Sequence, residues 1–178
     1  MVVALSGRRI DSPDASRAAF PIENAEAVRM RIVELFRELR ATVLVCSAAC
    51  GADLLALEAA EAVGARRRIV LPFEPRLFRE TSVTDRPGNW GPAFDRCLLA
   101  ASAANDLVNL DLPAANESYA RTNEFILEES RTLARALQDR VTAVLVWDGM
   151  SKGQADFTEL FGKAALARQF GVVEVSTL

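Results

Sequence analysis

Six short apolar runs punctuate the chain, at 2–5, 42–46, 67–73, 106–110, 142–147 and 172–176. Most are continuous rather than alternating, the pattern of strands buried on both faces, as in a parallel sheet covered by helices on each side. Between them polar and apolar positions recur with helical spacing. Ala25, Val28, Ile32, Phe36 and Leu39 form one stripe at intervals of three and four, while Arg29, Glu34 and Arg37 stay on the wet side. Further helices are expected over 52–63, closed by Gly64, around Phe94, Leu98 and Ala101, and over 117–137. A last one, over 156–170, is striped by Phe157, Leu160, Phe161 and Ala164 and closed by Gly171.

Strand and helix thus alternate as βαβαβαβαβαβ, which implies right-handed crossovers. The fold class this predicts is α/β, a three-layer Rossmann-like sandwich with a mostly parallel, doubly wound sheet of about six strands. A length of 178 residues suits one domain, residues 1–178, whose core needs neither disulfide nor structural metal. Stretches 11–21, 84–92 and 111–116 hold five of the seven prolines and read as loops. Sheets of this kind bind ligands at the carboxyl ends of their strands, so the residues just after each strand carry the functional information.

Composition narrows the chemistry. With 21 Lys and Arg against 24 Asp and Glu the formal charge is −3, which gives no long-range attraction for nucleic acid or an anionic membrane. Arg66, Arg67 and Arg68 form a short basic run, but it opens the third strand, at the end of the sheet away from any ligand. The chain has no histidine, which removes His-dependent triads, imidazole zinc sites and the commonest general base, and leaves proton transfer to carboxylates. Cys46, Cys50 and Cys97 are odd in number and wrongly spaced for a redox C-x-x-C pair, and are read as small buried residues of a reducing compartment. No basic leader precedes Val2, and no apolar run approaches the roughly 18–20 residues of a spanning helix, so no membrane contact and a cytoplasmic location are expected.

The first strand leads into Ser6-Gly7-Arg8-Arg9. Gly7 would let a ligand approach the backbone and the arginines would offer planar forks to phosphate or carboxylate, or else the segment is a tight turn with two solvated arginines. The second strand runs through small residues to Gly51, Ala52 and Asp53 at a helix start, which resembles a phosphate cradle, though it is neither G-x-G-x-x-G nor a P-loop. Asp53 either accepts hydrogen bonds from ribose hydroxyls or caps the helix. Arg79 and Ser82 would face a ligand if a short helix folds over the strand ends; otherwise Arg79 is a surface charge. Trp90 reads as a core anchor rather than a lid. In Tyr119-Ala-Arg121-Thr-Asn123, Arg121 and Asn123 are two apart and do not share a helix face. The fifth strand ends in Trp147-Asp148-Gly149, followed by Lys152-Gly153-Gln154-Ala155-Asp156, a second glycine-containing loop suited to a ligand contact; Asp156 and Glu159 are spaced much like a capping box.

These motifs, in this order, resemble the SLOG superfamily, a Rossmann-like group that includes Lonely Guy phosphoribohydrolases, DNA-processing Smf proteins and nucleotide-sensing modules. The resemblance implies a nucleotide or nucleotide-derived ligand across the strand ends. Gly7 and Arg8 would line the pocket, Gly51 and Asp53 would contact phosphate or ribose, and Gly153 and Gln154 would complete the cradle. Ser6, Arg79, Arg121, Asp148 and Asp156 join them as ligand-binding candidates. The phosphoribohydrolases carry P-G-G-x-G-T-x-x-E in the last loop, where this chain has Ser151 to Glu159 with one glycine of that motif, and with Asp156 placing a negative charge where phosphate would sit. Binding is therefore favoured over hydrolysis, and Glu159 is the one catalytic candidate, to stabilise an oxocarbenium-like centre or orient water while Arg8 or Arg121 holds phosphate.

The leading expectation is a module that binds or senses a nucleotide-derived small molecule. The alternative is a nucleoside-monophosphate phosphoribohydrolase cleaving an N-glycosidic bond. Single-stranded DNA binding, as in the Smf proteins, would need a basic groove with stacking aromatics, so nucleic acid is disfavoured as a partner. No cofactor is required, although a magnesium ion could join a ligand phosphate through Asp53, Asp148 and Asp156. The resemblance also implies a homodimer.

Overall fold

A computed structural model describes residues 1–153 and 156–178. Strands β1 (Val2–Gly7), β2 (Val43–Cys46), β3 (Arg66–Leu71), β4 (Leu107–Asn109), β5 (Val141–Trp147) and β6 (Gly171–Ser176) form one sheet in the order β4-β3-β2-β1-β5-β6. Every pairing is parallel, so the sheet is parallel throughout rather than mostly so. The connections are carried by α1 (Ala25–Glu38), α2 (Ala52–Ala62), α3 (Pro75–Ser82), α4 (Gly91–Ala103), α5 (Asn116–Ala136) and α6 (Phe157–Ala167), with a 3-10 turn at Ile22–Asn24 before α1.

Alternate residues of each central strand enter different cores. Val3 and Leu5 join Leu44, Cys46, Ile69 and Leu71 under the layer that contributes Ile32, Leu57 and Phe94 from α1, α2 and α4. Val2 and Ala4 join Val43, Val45 and Val70 under α5 and α6, which contribute Ile126, Leu127 and Phe161. Because both faces are covered, both sets must be apolar, and the strands read as uninterrupted runs.

The β3-to-β4 crossover holds two helices where the alternation suggested one. The additional helix, α3, is set by local chemistry: Glu74 accepts hydrogen bonds from Arg76 N and Leu77 N, and Pro75 occupies the first turn. It lies over the strand ends with Phe78 buried against the core. Trp90 is buried in the same core, its Nε1 donating to the Pro87 carbonyl at 2.7 Å. The three cysteines are unbridged and buried, and burial pushes the Cys50 thiol up to about 11. Among the described residues no helix is long and apolar enough to cross a membrane.

Between β1 and β5 the connections part to opposite sides: β1 is followed by α1 and β2, whereas β5 is reached through α5. A crevice at the carboxyl ends of such strands is where open α/β sheets bind ligands.

Candidate functional site

Two adjoining chambers open at these strand ends. The inner one, about 420 Å³, lies over Ser6 and Gly7 of β1, Ser47 after β2 and Asp53 of α2, beneath Phe78 of α3 and the first turns of α5 and α6. The outer one, about 540 Å³, is built from the segment after β1 and the loop before α6. Gly7, Arg9, Phe157 and Thr158 belong to both walls.

The inner chamber joins aromatic surface to polar side chains. Tyr119 and Phe157 from α5 and α6 sit with ring centroids 6.1 Å apart, and the Tyr119 hydroxyl lies 3.0 Å from Ser82 Oγ. Asp53 is not the cap of α2, since Gly51 holds that position and Asp53 falls in the first turn. Its Oδ2 accepts from Ala49 N at 3.1 Å. Burial pushes the Asp53 carboxyl up to about 7, against that hydrogen bond and the positive charge of Arg9. A carboxyl that burial holds near neutrality in a cleft is a candidate functional group.

Five cationic side chains line the outer chamber, Arg8, Arg9, Arg17, Arg86 and Lys152, with Asp11 and Asp156. Arg9 pairs with Asp85 at 2.8 Å, and Arg17 pairs with Asp148. Lys152 forms no ion pair among the described residues. Burial, together with the charge of Arg8, lowers its ammonium below the ordinary value.

Arg8 is almost wholly buried at 5% exposure. Its guanidinium donates to Asp148 at 3.1 Å, to Asp156 at 2.8 Å and to the Met150 carbonyl at 2.6 Å, and it lies 5.5 Å from the centre of the Trp147 ring. It thus ties the end of β1 to the loop after β5. Asp156 also caps α6, accepting from Thr158 N and Glu159 N, and it accepts from Lys152 N as well. Burial works against ionisation of Asp156, but the bonds from Arg8 and these amides outweigh it and hold the carboxyl below its ordinary value.

The cradles expected at the helix starts are largely closed by the chain itself. In α2, Ala52 N donates to the Arg8 carbonyl and Leu54 N to the Ala49 carbonyl. Gly51, at φ 89°, is glycine because a Cβ there would lie 2.8 Å from Ile10 N and 2.9 Å from the Arg8 carbonyl oxygen. Gly7 packs as closely, its hypothetical Cβ 2.4 Å from that of Ala52 and 2.6 Å from the Val146 carbonyl oxygen. Cationic side chains, by contrast, line the outer chamber.

Of the remaining candidates, Ser6 lines the inner chamber. Asp148 is shielded beneath Arg8 and Arg17, and Gly153 adopts φ 97° in the loop before α6. Gln154 lies outside the described residues. Arg79 pairs with Asp95 at 2.9 Å on the surface and lines neither chamber. Arg121 points away from the cleft, whereas Asn123 lines it and donates to the Phe157 carbonyl at 3.1 Å, the divergence that a two-residue helical separation requires. Glu159 lines neither chamber; it pairs with Lys163 at 2.6 Å and accepts from Ser151. Asp53, Asp148 and Asp156 do not converge: among the described residues no three Asp, Glu or Cys side chains gather as metal ligands. Ser47, Asn116 and Thr158 were not legible as site residues, although each stands just after a strand or at a helix start.

No family model matches the chain, and no curated protein matches it. Among solved structures it is similar to DNA processing protein A from Streptococcus pneumoniae, at 16% identity and a TM-score of 0.45, over 98% of this chain and 58% of that one. At this identity the likeness concerns the fold alone. The matched protein is named as a DNA-processing one, which stands against the expectation that disfavoured nucleic acid, while the likeness assigns no partner to this chain.

Proposed function

We propose that the chain is a SLOG-type domain that binds a nucleotide or nucleotide-derived small molecule, with base and sugar in the inner chamber and phosphate in the outer. The observation that carries this reading is the junction. One wall, formed by Gly7, Arg9, Phe157 and Thr158, serves both an aromatic, hydroxyl-lined chamber and a chamber lined by arginines and Lys152. A nucleotide has the matching halves: a flat, stackable base on a polyhydroxylated sugar, then an anion. The hydrolase alternative lacks such support, because Glu159 stands outside both chambers.

A thermal-shift panel of nucleoside 5′-monophosphates, cyclic nucleotides, ADP-ribose, NAD and a single-stranded oligonucleotide tests the reading. A ligand at a hundred times its Kd adds about 2.7 kcal/mol, which raises Tm by several degrees at this chain length. A shift confined to one class of mononucleotide or dinucleotide supports it. A shift with the oligonucleotide alone, or with nothing, overturns it.

A further inference from the structure

Resting on that reading, we propose that the outer chamber seats two linked phosphoryl groups, so that the ligand is a nucleoside 5′-diphosphate, with Lys152 holding the first group and Arg86 the second. Arg86 comes from the loop between α3 and α4, a segment that supplied no ligand-binding candidate to the sequence reading.

Most cations of the chamber are engaged by the chain's own carboxylates. Arg8 and Arg17 are held by Asp148 and Asp156. Arg9 and Arg86 share a single carboxylate, that of Asp85, at 2.8 Å and 3.4 Å. The close contact belongs to Arg9. Arg86 gains no hydrogen bond from Asp85, and its Nε is buried with no hydrogen-bond partner among the described residues. Lys152 has no ion pair among them. Asp11 faces the chamber as well, but its carboxylate accepts from Ala19 N and Phe20 N, both at 2.9 Å. Arg86 and Lys152 are thus the lining cations with donors left over.

These two stand on different flanks. Lys152 follows β5, and the charges acting on it are those of Arg8, Asp156, Asp11 and Asp148. Arg86 precedes α4, and its charge is felt by Asp14 and Cys50. The two sets share no member, so one phosphoryl group seated on Lys152 leaves Arg86 unmet. The order along the ligand follows from Asp156, which accepts from Lys152 N at 2.8 Å and directly precedes Phe157 and Thr158 of the wall between the chambers. A nucleotide whose base and sugar fill the inner chamber therefore presents its first phosphoryl group at Lys152. A second group, joined through one bridging oxygen, extends toward Arg86, whose planar fork matches phosphate oxygens in pairs. A monophosphate leaves that buried donor unpaired, which disfavours it against the diphosphate.

The experiment is calorimetric titration of the full chain with the four common ribonucleoside 5′-monophosphates and the matching 5′-diphosphates. It is repeated on Arg86→Gln and on Arg37→Gln, which removes the same charge from the exposed side of α1, each variant being titrated well below its own Tm. The expected result is a native preference for the diphosphate on the order of tenfold or more. In Arg86→Gln that preference should fall to within about threefold while monophosphate affinity changes by less than about twofold, and in Arg37→Gln it should persist. Equal binding of mono- and diphosphates by the native protein overturns the proposal, with no variant needed, and leaves the nucleotide reading standing. A preference that survives Arg86→Gln, or that Arg37→Gln also abolishes, overturns it too, since the added charge alone then accounts for the difference. If none of the eight binds, the proposal falls, and the nucleotide reading is decided by the wider thermal-shift panel.

Discussion

The Arg8 guanidinium meets the Asp156 carboxylate with two nitrogens, Nη1 lying 2.8 Å from Oδ1 and Nη2 2.7 Å from Oδ2, across 148 residues of chain. Both side chains are buried, and the same carboxylate caps α6. The pair fixes the mouth of the outer chamber, because it holds the loop after β5 to the end of β1.

Replacing Arg8 by Met keeps the aliphatic bulk, leaves Asp156 without its cation and leaves Asp148 to Arg17 alone. Breaking a buried pair from one side costs about 3–5 kcal/mol. Urea denaturation should show that loss as a lower midpoint with an unchanged m value. A loss under about 1 kcal/mol would place the pair among ordinary surface bridges instead.

Asp53 should destabilise the protein near neutrality. Its folded-state value, about 7, exceeds that of an unfolded aspartate. Between about pH 4 and pH 7 the folded chain holds a proton that the unfolded chain has released, so stability falls as pH rises through that window, by at most about 1.4 kcal/mol per unit. Asp53→Asn should therefore be more stable than the native protein at pH 8, by on the order of 2–4 kcal/mol, and the two should converge below about pH 4. Parallel stability curves across this range would mean that Asp53 is not desolvated.

Substitution of Gly51 by Ala should cost on the order of 2–4 kcal/mol, since it combines a positive φ with backbone atoms closer than 3.0 Å to the new methyl. The same change at Gly64, which has φ 74° but nothing within 4 Å, should cost less. Thermal unfolding of the two variants separates crowding from backbone strain.

Lys152→Ala should weaken binding of a nucleoside 5′-monophosphate by roughly tenfold and flatten its salt dependence, with little change in stability, because the ammonium has no carboxylate partner among the described residues. Glu159→Gln should leave the same affinity within about twofold, since Glu159 is engaged with Lys163 and Ser151 outside the cleft. Titration calorimetry on both variants checks the pair. A collapse of binding in Glu159→Gln would restore that residue to the site.

The fold was legible wherever local spacing carries the information. Uninterrupted runs such as Ala143 to Val146 announce a strand covered on both faces, and the stripe of Val28, Ile32 and Phe36 announces the helix that covers one of them. The second helix of the β3-to-β4 crossover was less visible, because α3 is only eight residues long and buries just Phe78 and Ser82. The segments after β1, β2 and β5 do line the cleft, and where each of their side chains would stand was harder to read. Arg8 and Arg9 are neighbours with the same chemistry, yet Arg8 is enclosed by Asp148 and Asp156 while Arg9 lines both chambers.

By itself the sequence determined the order of strands and helices, their parallel arrangement and the end of the sheet where the cleft opens, since these follow from apolar periodicity and from where glycine, proline and capping residues stand. Only the tertiary structure decided which arginine is locked and which lines the cleft, that Asp156 is an ion-pair partner rather than a repulsive charge, and that Asp53 is desolvated beside hydroxyls. The physical reason is distance along the chain. Periodicity acts over a few residues, whereas burial and charge pairing depend on groups such as Arg8 and Asp156, which meet only when β1 and the start of α6 are brought together.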